Sequence, residues 1–410
     1  MVGKKDNILA ALDIGTTKIC AIAAEVTEGN KLNIKGIGTS PSRGLKKGVI
    51  IDIEETVESI KKAVHEAEKA SGVEIKSVYT GIAGSHILGL NSKGAAPIKN
   101  QEVTMGDIEK ALETARAIAI PPDREILHVI PQEFIIDGQD GIKNPLGISG
   151  VRLEVLVHII TGAITSAQNI VKSINKAGLD VMDIILQPLA SSEAVLTQDE
   201  KDLGAALIDI GGGTTDMAIF VNGSVTHTVV IPLGGNHVTN DIAFGIRTPF
   251  AEAESLKIAY GCALRSQVME NGTIEVQDVG GRPPRHLSRH ELAAIIEPRA
   301  EEIFEYAIRE IKKTHYSDML SSGIVLTGGS SIMKGMTEIA EKTTGLPVRL
   351  GGPGNISGNT DNINHPMYAT GVGILLCAIQ QEGSDGRKFR NGHLFDNIFY
   401  RMKGWFREFF

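Results

Sequence analysis

Asp209-Ile210-Gly211-Gly212-Gly213-Thr214-Thr215-Asp216 joins one apolar run, Ala205-Ala206-Leu207-Ile208, to a second that extends from Met217 to Val221. The apolar flanks read as strands and the glycines between them as a tight turn. Such a turn aims backbone N–H groups at one spot, and glycine allows a close approach because it has no Cβ. The N–H groups form an anion nest, to which threonine hydroxyls add neutral donors. Asp209 stands directly before the turn. A carboxylate beside polyphosphate is repulsive unless a cation lies between them, so the pattern calls for Mg2+ held largely through water.

One turn of this kind is an ordinary hairpin more often than a ligand site. This chain carries two. Asp13-Ile14-Gly15-Thr16-Thr17-Lys18 lies between the apolar runs Ile8–Leu12 and Ile19–Val26. Further echoes support duplication. Gln168 to Leu186 reads helix, Gly178, strand, and Met336 to Leu350 reads helix, Gly345, strand. Each is followed by a helical run rich in small residues, Leu189 to Leu196 and Tyr368 to Ile379. A repeated βαβ-containing half implies two similar lobes whose loops face each other. The expected fold class is therefore α/β. A third element, Gly323 to Ile332, reads as a strand ending in the turn Gly328-Gly329-Ser330 before a helix starting near Met333. Paired glycines there let a flat base lie against the backbone. No Gly-x-x-x-x-Gly-Lys-Ser/Thr occurs, which excludes a P-loop protein.

Two segments interrupt the repeat, 85–162 and 228–310, each expected to be a subdomain inserted into one lobe. The first lobe then comprises 1–84, 163–196 and a return helix at 363–380. The second comprises 197–227 and 311–362. Residues 381–393 are polar and glycine-rich, the composition of a flexible linker.

The bulk numbers bound the function. With 410 residues, 42% hydrophobic and 22% charged, the chain is long enough for several subdomains. Its net charge is −8, but from Arg387 onward it has six basic and two acidic residues, so the tail is +4 and the body −12. An acidic body argues against a nucleic-acid binder. A basic tail argues for a local anionic partner. Cys20, Cys262 and Cys377 are far apart and form neither a disulfide framework nor a zinc spacing. The N-terminus lacks the apolar core of a signal peptide, and no apolar run reaches membrane-spanning length. A cytoplasmic location is expected.

The segment 394–410 places Leu394, Phe395, Ile398, Phe399, Met402, Trp405, Phe406 and Phe409 on one helical face. Seven of the chain's eighteen aromatic residues fall in these seventeen positions, a concentration that suits a lipid interface. Each apolar side chain contributes about 1.5–3 kcal/mol when fully buried. Ordering the helix costs roughly 1–2 kcal/mol per residue, and each basic residue at an anionic surface adds about 1 kcal/mol. The balance is a weak, reversible anchor, which gains force where many copies act together.

The three turns, in this order, resemble the actin, heat-shock chaperone and sugar-kinase superfamily over residues 8–379. That resemblance implies an actin-like pair of ribonuclease-H-like lobes, with an inserted subdomain in each, and ATP with Mg2+ in the cleft. It implies nucleotide contacts from Asp13, Gly15, Thr16, Thr17, Lys18, Asp209, Gly211, Gly212, Gly213, Thr214, Thr215, Gly328, Gly329 and Ser330, with Mg2+ near Asp13 and Asp209. Gln187-Pro188 with Ala190-Ser191-Ser192 matches the first connecting motif, and Tyr368 to Gly373 the second. Glu254 and Lys257 match positions that reach the ribose and adenine in relatives, although three residues apart they also suit a solvated ion pair. Gln187 stands where several relatives have Glu. Glutamine orients water but cannot take its proton, so at most a slow ATPase is expected, used as an assembly switch.

With its linker and amphipathic tail, the chain resembles more narrowly the FtsA family of bacterial cell-division proteins. Pro131-Gln132-Glu133-Phe134 through Asn144-Pro145-Leu146-Gly147 is similar to that family's first insert. Thr248-Pro249 through Gly261-Cys262-Ala263, with Gly281-Arg282-Pro283-Pro284, is similar to its second. The resemblance implies a peripheral protein on the inner face of the cytoplasmic membrane at the division septum. It would form filaments with itself, tether the tubulin-like polymer FtsZ to an anionic lipid surface and recruit later division proteins. Arg285 and Arg299 are the candidate contacts for the FtsZ C-terminal peptide. The competing class is a small-molecule kinase of the same superfamily, for which no catalytic base is identifiable. A heat-shock-type chaperone would need a C-terminal domain for which too few residues remain.

Overall fold

The computed structural model describes residues 8–27, 29, 31–269, 272–277, 283–354, 356–358 and 363–382. The tail at 394–410 and residues 383–393 of the expected linker lie outside the described residues.

Each copy of the duplicated turn closes the first hairpin of a sheet. In the first lobe β1 (Ile8–Ile14), β2 (Lys18–Thr27) and β3 (Lys31–Pro41) run antiparallel. A small ribbon, β4 (Leu45–Lys46) and β5 (Val49–Ile50), precedes α1 (Ile53–Ser71). Asp52 caps α1 by accepting from the Glu55 N–H, and Gly72 ends it in the left-handed region. The chain returns in β6 (Ser77–Ile82), parallel to β1.

The first insert follows as β7 (Leu88–Pro97), α2 (Met105–Arg116), β8 (Arg124–Ile136), β9 (Gln139–Ile142) and β10 (Arg152–Ala163). It has its own sheet, in the order β7-β10-β8-β9, and its own core around Ile108, Leu112, Val155 and Phe134. The lobe then resumes with α3 (Ile164–Lys176), β11 (Asp180–Leu186) and α4 (Gln187–Val195).

The short α5 (Gln198–Leu203) leads into the second lobe: β12 (Ala205–Ile210), β13 (Thr215–Val221) and β14 (Ser224–Ile231). Its insert contains α6 (Gly235–Ile246), α7 (Phe250–Tyr260), β15 (Thr273–Val276) and β16 (Arg285–Ser288). After α8 (Arg289–Lys313) come β17 (Ile324–Thr327), α9 (Met336–Thr344), β18 (Val348–Leu350), β19 (Ile356–Gly358) and α10 (Ala369–Glu382).

The two large sheets have one topology. The first runs β11-β6-β1-β2-β3, with β19 added at its edge, and the second runs β18-β17-β12-β13-β14. In each, an antiparallel meander of three strands is extended by two parallel ones. Strand alternation divides the core. On β12 and β13, Ala205, Leu207, Ala218 and Phe220 face the first lobe's core, while Ala206, Ile208, Met217 and Ile219 face the second's. Among the described residues no helix is long and apolar enough to cross a membrane.

Three expected boundaries move, and one strand changes lobe: β19, within the 311–362 segment expected in the second lobe, pairs with β3 of the first. The cut between 227 and 228 falls inside β14, which stays paired with β13 as far as Thr215↔Ile231. The cut between 310 and 311 falls inside α8. Leu292 and Ile296 of that helix pack in the insert, whereas Ala300, Phe304 and Ile311 pack in the second lobe. Pro298, which cannot donate to the helix, sits at this hand-over. At the C-terminal end α10 runs two residues into the expected linker.

The lobes join along α4 and α10, where the backbones nearly touch. A Cβ on Gly373 would lie 1.7 Å from the Ala190 carbonyl oxygen. Neither helix can yield without moving a sheet. Gly373→Ala therefore lowers the apparent unfolding free energy by roughly 1–3 kcal/mol. Gly354→Ala, with open space around the added methyl, leaves it nearly unchanged. Urea titration of the two variants checks this.

Candidate functional site

The two turns have the same internal geometry. The Gly15 N–H donates to the Lys18 carbonyl at 3.0 Å, and the Gly211 N–H to the Thr214 carbonyl at 2.9 Å. They also meet face to face. A Cβ on Gly212 would lie 2.2 Å from Cγ2 of Thr17, and one on Gly213 would lie 2.6 Å from Oγ1 of Thr16. Only glycine permits that approach. Between the turns opens a cavity of about 620 Å3, within the range of small-molecule sites.

Part of the lining of this cavity is acidic. It comprises Asp13, Asp209 and Asp216 together with Gly15, Thr16, Thr17, Lys18, Gly211, Gly212, Gly213 and Thr214. Burial raises all three carboxyls. Asp13 is pushed up to about 6 by desolvation, against the pull of Lys18 and with help from Asp209. Asp216 is pushed up to about 8 by desolvation, with Asp209 and Asp13 adding to it. Asp209 is also raised by desolvation, against hydrogen bonds from Ser191 and Thr370.

The helices that join the lobes hold these carboxylates. Gln187 and Ser191 lie one turn apart on α4. The Gln187 amide donates to Asp13 Oδ1 at 3.0 Å, and the Ser191 hydroxyl to Asp209 Oδ2 at 2.6 Å. Thr370, in the first turn of α10, donates to the same Asp209 oxygen at 3.2 Å. A glutamate at 187 would set two carboxylates in contact, whereas glutamine supplies a donor. The Lys18 ammonium donates to the Met367 carbonyl at 2.9 Å and lies 4.5 Å from the centre of the Tyr368 ring.

The lining also includes Gly235, Asn236, Glu254, Lys257, Ile258, Gly261, Arg289, Gly328, Gly329, Ser330, Met333 and Lys334. Glu254 and Lys257 pair at 2.7 Å, and the Lys257 ammonium also donates to Thr239 Oγ1 at 2.9 Å. They form an ion pair, but one set in the cavity wall. Gly328 has φ +88, and a Cβ there would lie 2.3 Å from Asp209 Oδ1. Ser330 ties the third turn to the second by donating from its hydroxyl to the Gly211 carbonyl at 3.0 Å.

Three expectations change. Thr215 is not part of the lining, because alternation along β13 turns Thr214 and Asp216 inward and Thr215 away. Its hydroxyl donates to the Leu233 carbonyl at 3.0 Å. The helix expected near Met333 begins at Met336, since Gly335 at φ +82 keeps the preceding residues in a loop, and Met333 and Lys334 thereby line the cavity. Arg299 is already engaged: its guanidinium meets Asp241 at 2.6 and 3.1 Å and pairs with Glu302. Arg285 is exposed on β16, with one nitrogen donating to the Ile246 carbonyl.

The family model described as "Cell division protein FtsA" matches residues 206–373, and one described as "SHS2 domain inserted in FTSA" matches residues 84–161. A protein of Pseudomonas aeruginosa named "Cell division protein FtsA" is 51% identical over 380 residues, covering 93% of this chain and 91% of its own length. The chain belongs to the FtsA family. Solved structures carry the fold further. A PilM-PilN type IV pilus biogenesis complex aligns with a TM-score of 0.65 at 17% identity, over 90% of this chain and 98% of its own. MreB5 of Spiroplasma citri bound to ADP aligns at 0.55 and 17%, over 93% of this chain and 100% of its own. The fold is thus actin-like.

The donor set fits a nucleotide with magnesium. Mg2+ keeps several waters and needs only one or two carboxylates beside phosphate oxygens, and Asp13 and Asp209 both line the cavity. Asp216 Oδ1 is buried with no hydrogen-bond partner among the described residues, as expected of an oxygen that faces a hydrated cation.

The sign of the pH dependence follows. Asp13 and Asp216 titrate from an ordinary value of 3.8 in the unfolded chain but near 6 and 8 when folded. Between these values the folded chain holds more protons, so their contribution to stability is full below about 4 and is lost as pH rises toward 8. Without nucleotide or magnesium, the urea midpoint falls between pH 5 and pH 8.5. Asp216→Asn flattens the upper part of that fall, and an unchanged slope in the variant would contradict the assignment.

Proposed function

We propose that this chain is an ATP-binding, actin-like division protein that tethers the FtsZ polymer to the inner face of the cytoplasmic membrane at the septum. The carrying observation is the pair of glycine turns that meet face to face over three buried carboxylates. Asp13 and Asp209 hold Mg2+ through water, the turn N–H groups and threonine hydroxyls take the phosphates, and Gly328 and Gly329 take the base. The ADP in the MreB5 structure supports a nucleotide in this type of cleft. Magnesium neutralises phosphate charge when bound. The chain's own residues orient: Lys18 spans the turn and the second connecting segment, and Gln187 keeps Asp13 in place.

Gln187 cannot act as a general base, so hydrolysis is slow and serves to switch assembly. Filaments of this protein multiply the weak anchor of residues 394–410 on anionic lipid, and later division proteins join the assembly. The second insert receives the FtsZ C-terminal peptide. Arg285 is the more accessible contact there, since Asp241 and Glu302 already occupy Arg299. Arg299→Glu sets like charge against both carboxylates and lowers the melting temperature, whereas Arg285→Glu weakens peptide binding with melting unchanged. Fluorescence anisotropy of the labelled peptide, read beside a thermal melt, separates the two.

The decisive experiment is co-sedimentation with anionic vesicles in the presence of ATP. The full chain pellets, and the chain lacking residues 394–410 stays in the supernatant while binding ATP as before. Pelleting that survives truncation would contradict the tether. Turnover by the lipid-free protein at a metabolic kinase's rate would favour the enzyme reading.

A further inference from the structure

The first insert is rooted in one lobe and bonded to the other. Its chain leaves β6 and returns into α3, both of the first lobe. Its side chains reach β14, an edge strand of the second lobe's sheet. The contacts follow that strand residue by residue. Lys143 donates to Ser224 Oγ at 2.8 Å, and the Ser224 hydroxyl donates to the Gln132 carbonyl at 2.9 Å. The Gln132 amide donates to the Val225 carbonyl at 3.1 Å, and the Asn91 amide to the Thr226 carbonyl at 3.2 Å. His158 Nε2 lies 2.9 Å from Thr228 Oγ1. Gln132, His158, Ser224 and Thr228 are all buried. A buried polar group drawn away from its partner loses that bond with no water to replace it.

Both grips of the insert lead to the phosphate turns. In the first lobe His128 Nε2 accepts from the Leu186 N–H at 3.1 Å, and the next residue, Gln187, donates to Asp13. In the second lobe β14 ends at Ile231. Four residues on, Gly235 lines the cavity, and its N–H donates to the Gly211 carbonyl at 2.9 Å. The chain itself passes between the lobes through α5 and again after β18. The insert is a further tie between them, and one made without covalent bonds. Phosphates gripped by the turns of both lobes are released as the turns part. Parting moves β14 relative to β6 and α3, and so shears the seam.

We propose that the first insert is a strap between the lobes, and that breaking its seam with β14 limits the rate at which bound nucleotide leaves the cleft. The inference rests on the reading that the cleft holds ATP, and it adds what governs exchange there. The seam is intact while the turns face each other and is lost as they separate. Weakening it therefore lowers the barrier to release.

Stopped-flow displacement of a fluorescent ATP analogue, with Mg2+, from the full chain tests this. Lys143→Met removes the donor to Ser224, and Thr228→Val removes the hydroxyl facing His158. The two are made singly and together, each beside a thermal melt. Ile108→Val is the control, because Ile108 is buried in the insert's own core with Leu112 and Val155. The expected result is that the double variant releases nucleotide about 5- to 30-fold faster, with each single variant in between. Ile108→Val lowers the melting temperature and leaves release unchanged. The proposal is overturned if the seam variants release nucleotide like the wild type, whatever their melting temperature, or if Ile108→Val speeds release as much as they do. Wild-type protein that binds no nucleotide removes the ATP reading and the strap's role with it. Wild-type binding with unchanged release in the variants removes the strap alone.

Discussion

Three carboxylates, Asp13, Asp209 and Asp216, share the floor of one cleft, and all three are held above the ordinary range by burial. Burying negative charge without a counter-charge is among the costliest arrangements in a protein interior. The surrounding structure answers it with neutral donors: the Gln187 amide, the Ser191, Thr214 and Thr370 hydroxyls. Lys18 supplies the nearby positive charge. What these groups leave unanswered is the Asp216 oxygen that has no partner among the described residues and the excess of negative charge, both of which a hydrated cation would answer. The lobes are built around this need. The two sheets repeat one topology so that the two turns oppose each other, and the helices that join the lobes carry the donors.

Much of this was legible in the sequence because its cause is local. The paired turns announce themselves by glycines that no other residue could replace at the contact of Gly212 and Gly213 with Thr17 and Thr16. The duplicated order of strand, turn and strand gave the two lobes. What the sequence hid depends on register. Asp209 and Asp216 face each other across the hairpin as Asp13 and Cys20 do. That makes Asp216 part of the site and sends Thr215 away from it, and alternation along β13 was the signal that could have separated the two. Ser191 is reached by counting one helical turn from Gln187, but its partner Asp209 belongs to the other lobe and no local pattern predicts it. Arg289 lies in an insert, far along the chain from either turn.

The inserts are joined to the site by polar contacts rather than set apart from it. His128 of the first insert accepts from the Leu186 N–H at 3.1 Å, one residue before Gln187. The same insert meets β14 of the second lobe through a buried seam. His158 bridges Asn91 Oδ1 at 2.7 Å and Thr228 Oγ1 at 2.9 Å, and Gln132 donates to the Val225 carbonyl at 3.1 Å. Burial pushes His158 down to about 3, so it stays neutral across the physiological range. Hydrogen bonds without water to replace them hold one geometry firmly. An insert anchored in this way cannot swing without disturbing β14 or Leu186, the residue before the cavity-lining Gln187.

The central claim is that the buried carboxylates exist to be neutralised by magnesium on a nucleotide. Calorimetry of Mg2+·ATP binding at pH 7, repeated in buffers of different ionisation enthalpy, reads it directly. The account predicts net proton release on binding, because Asp216, and part of Asp13, must give up protons as the cation arrives. It also predicts that omitting Mg2+ weakens binding and removes the release. Tight ATP binding that is independent of magnesium and exchanges no protons would contradict the account.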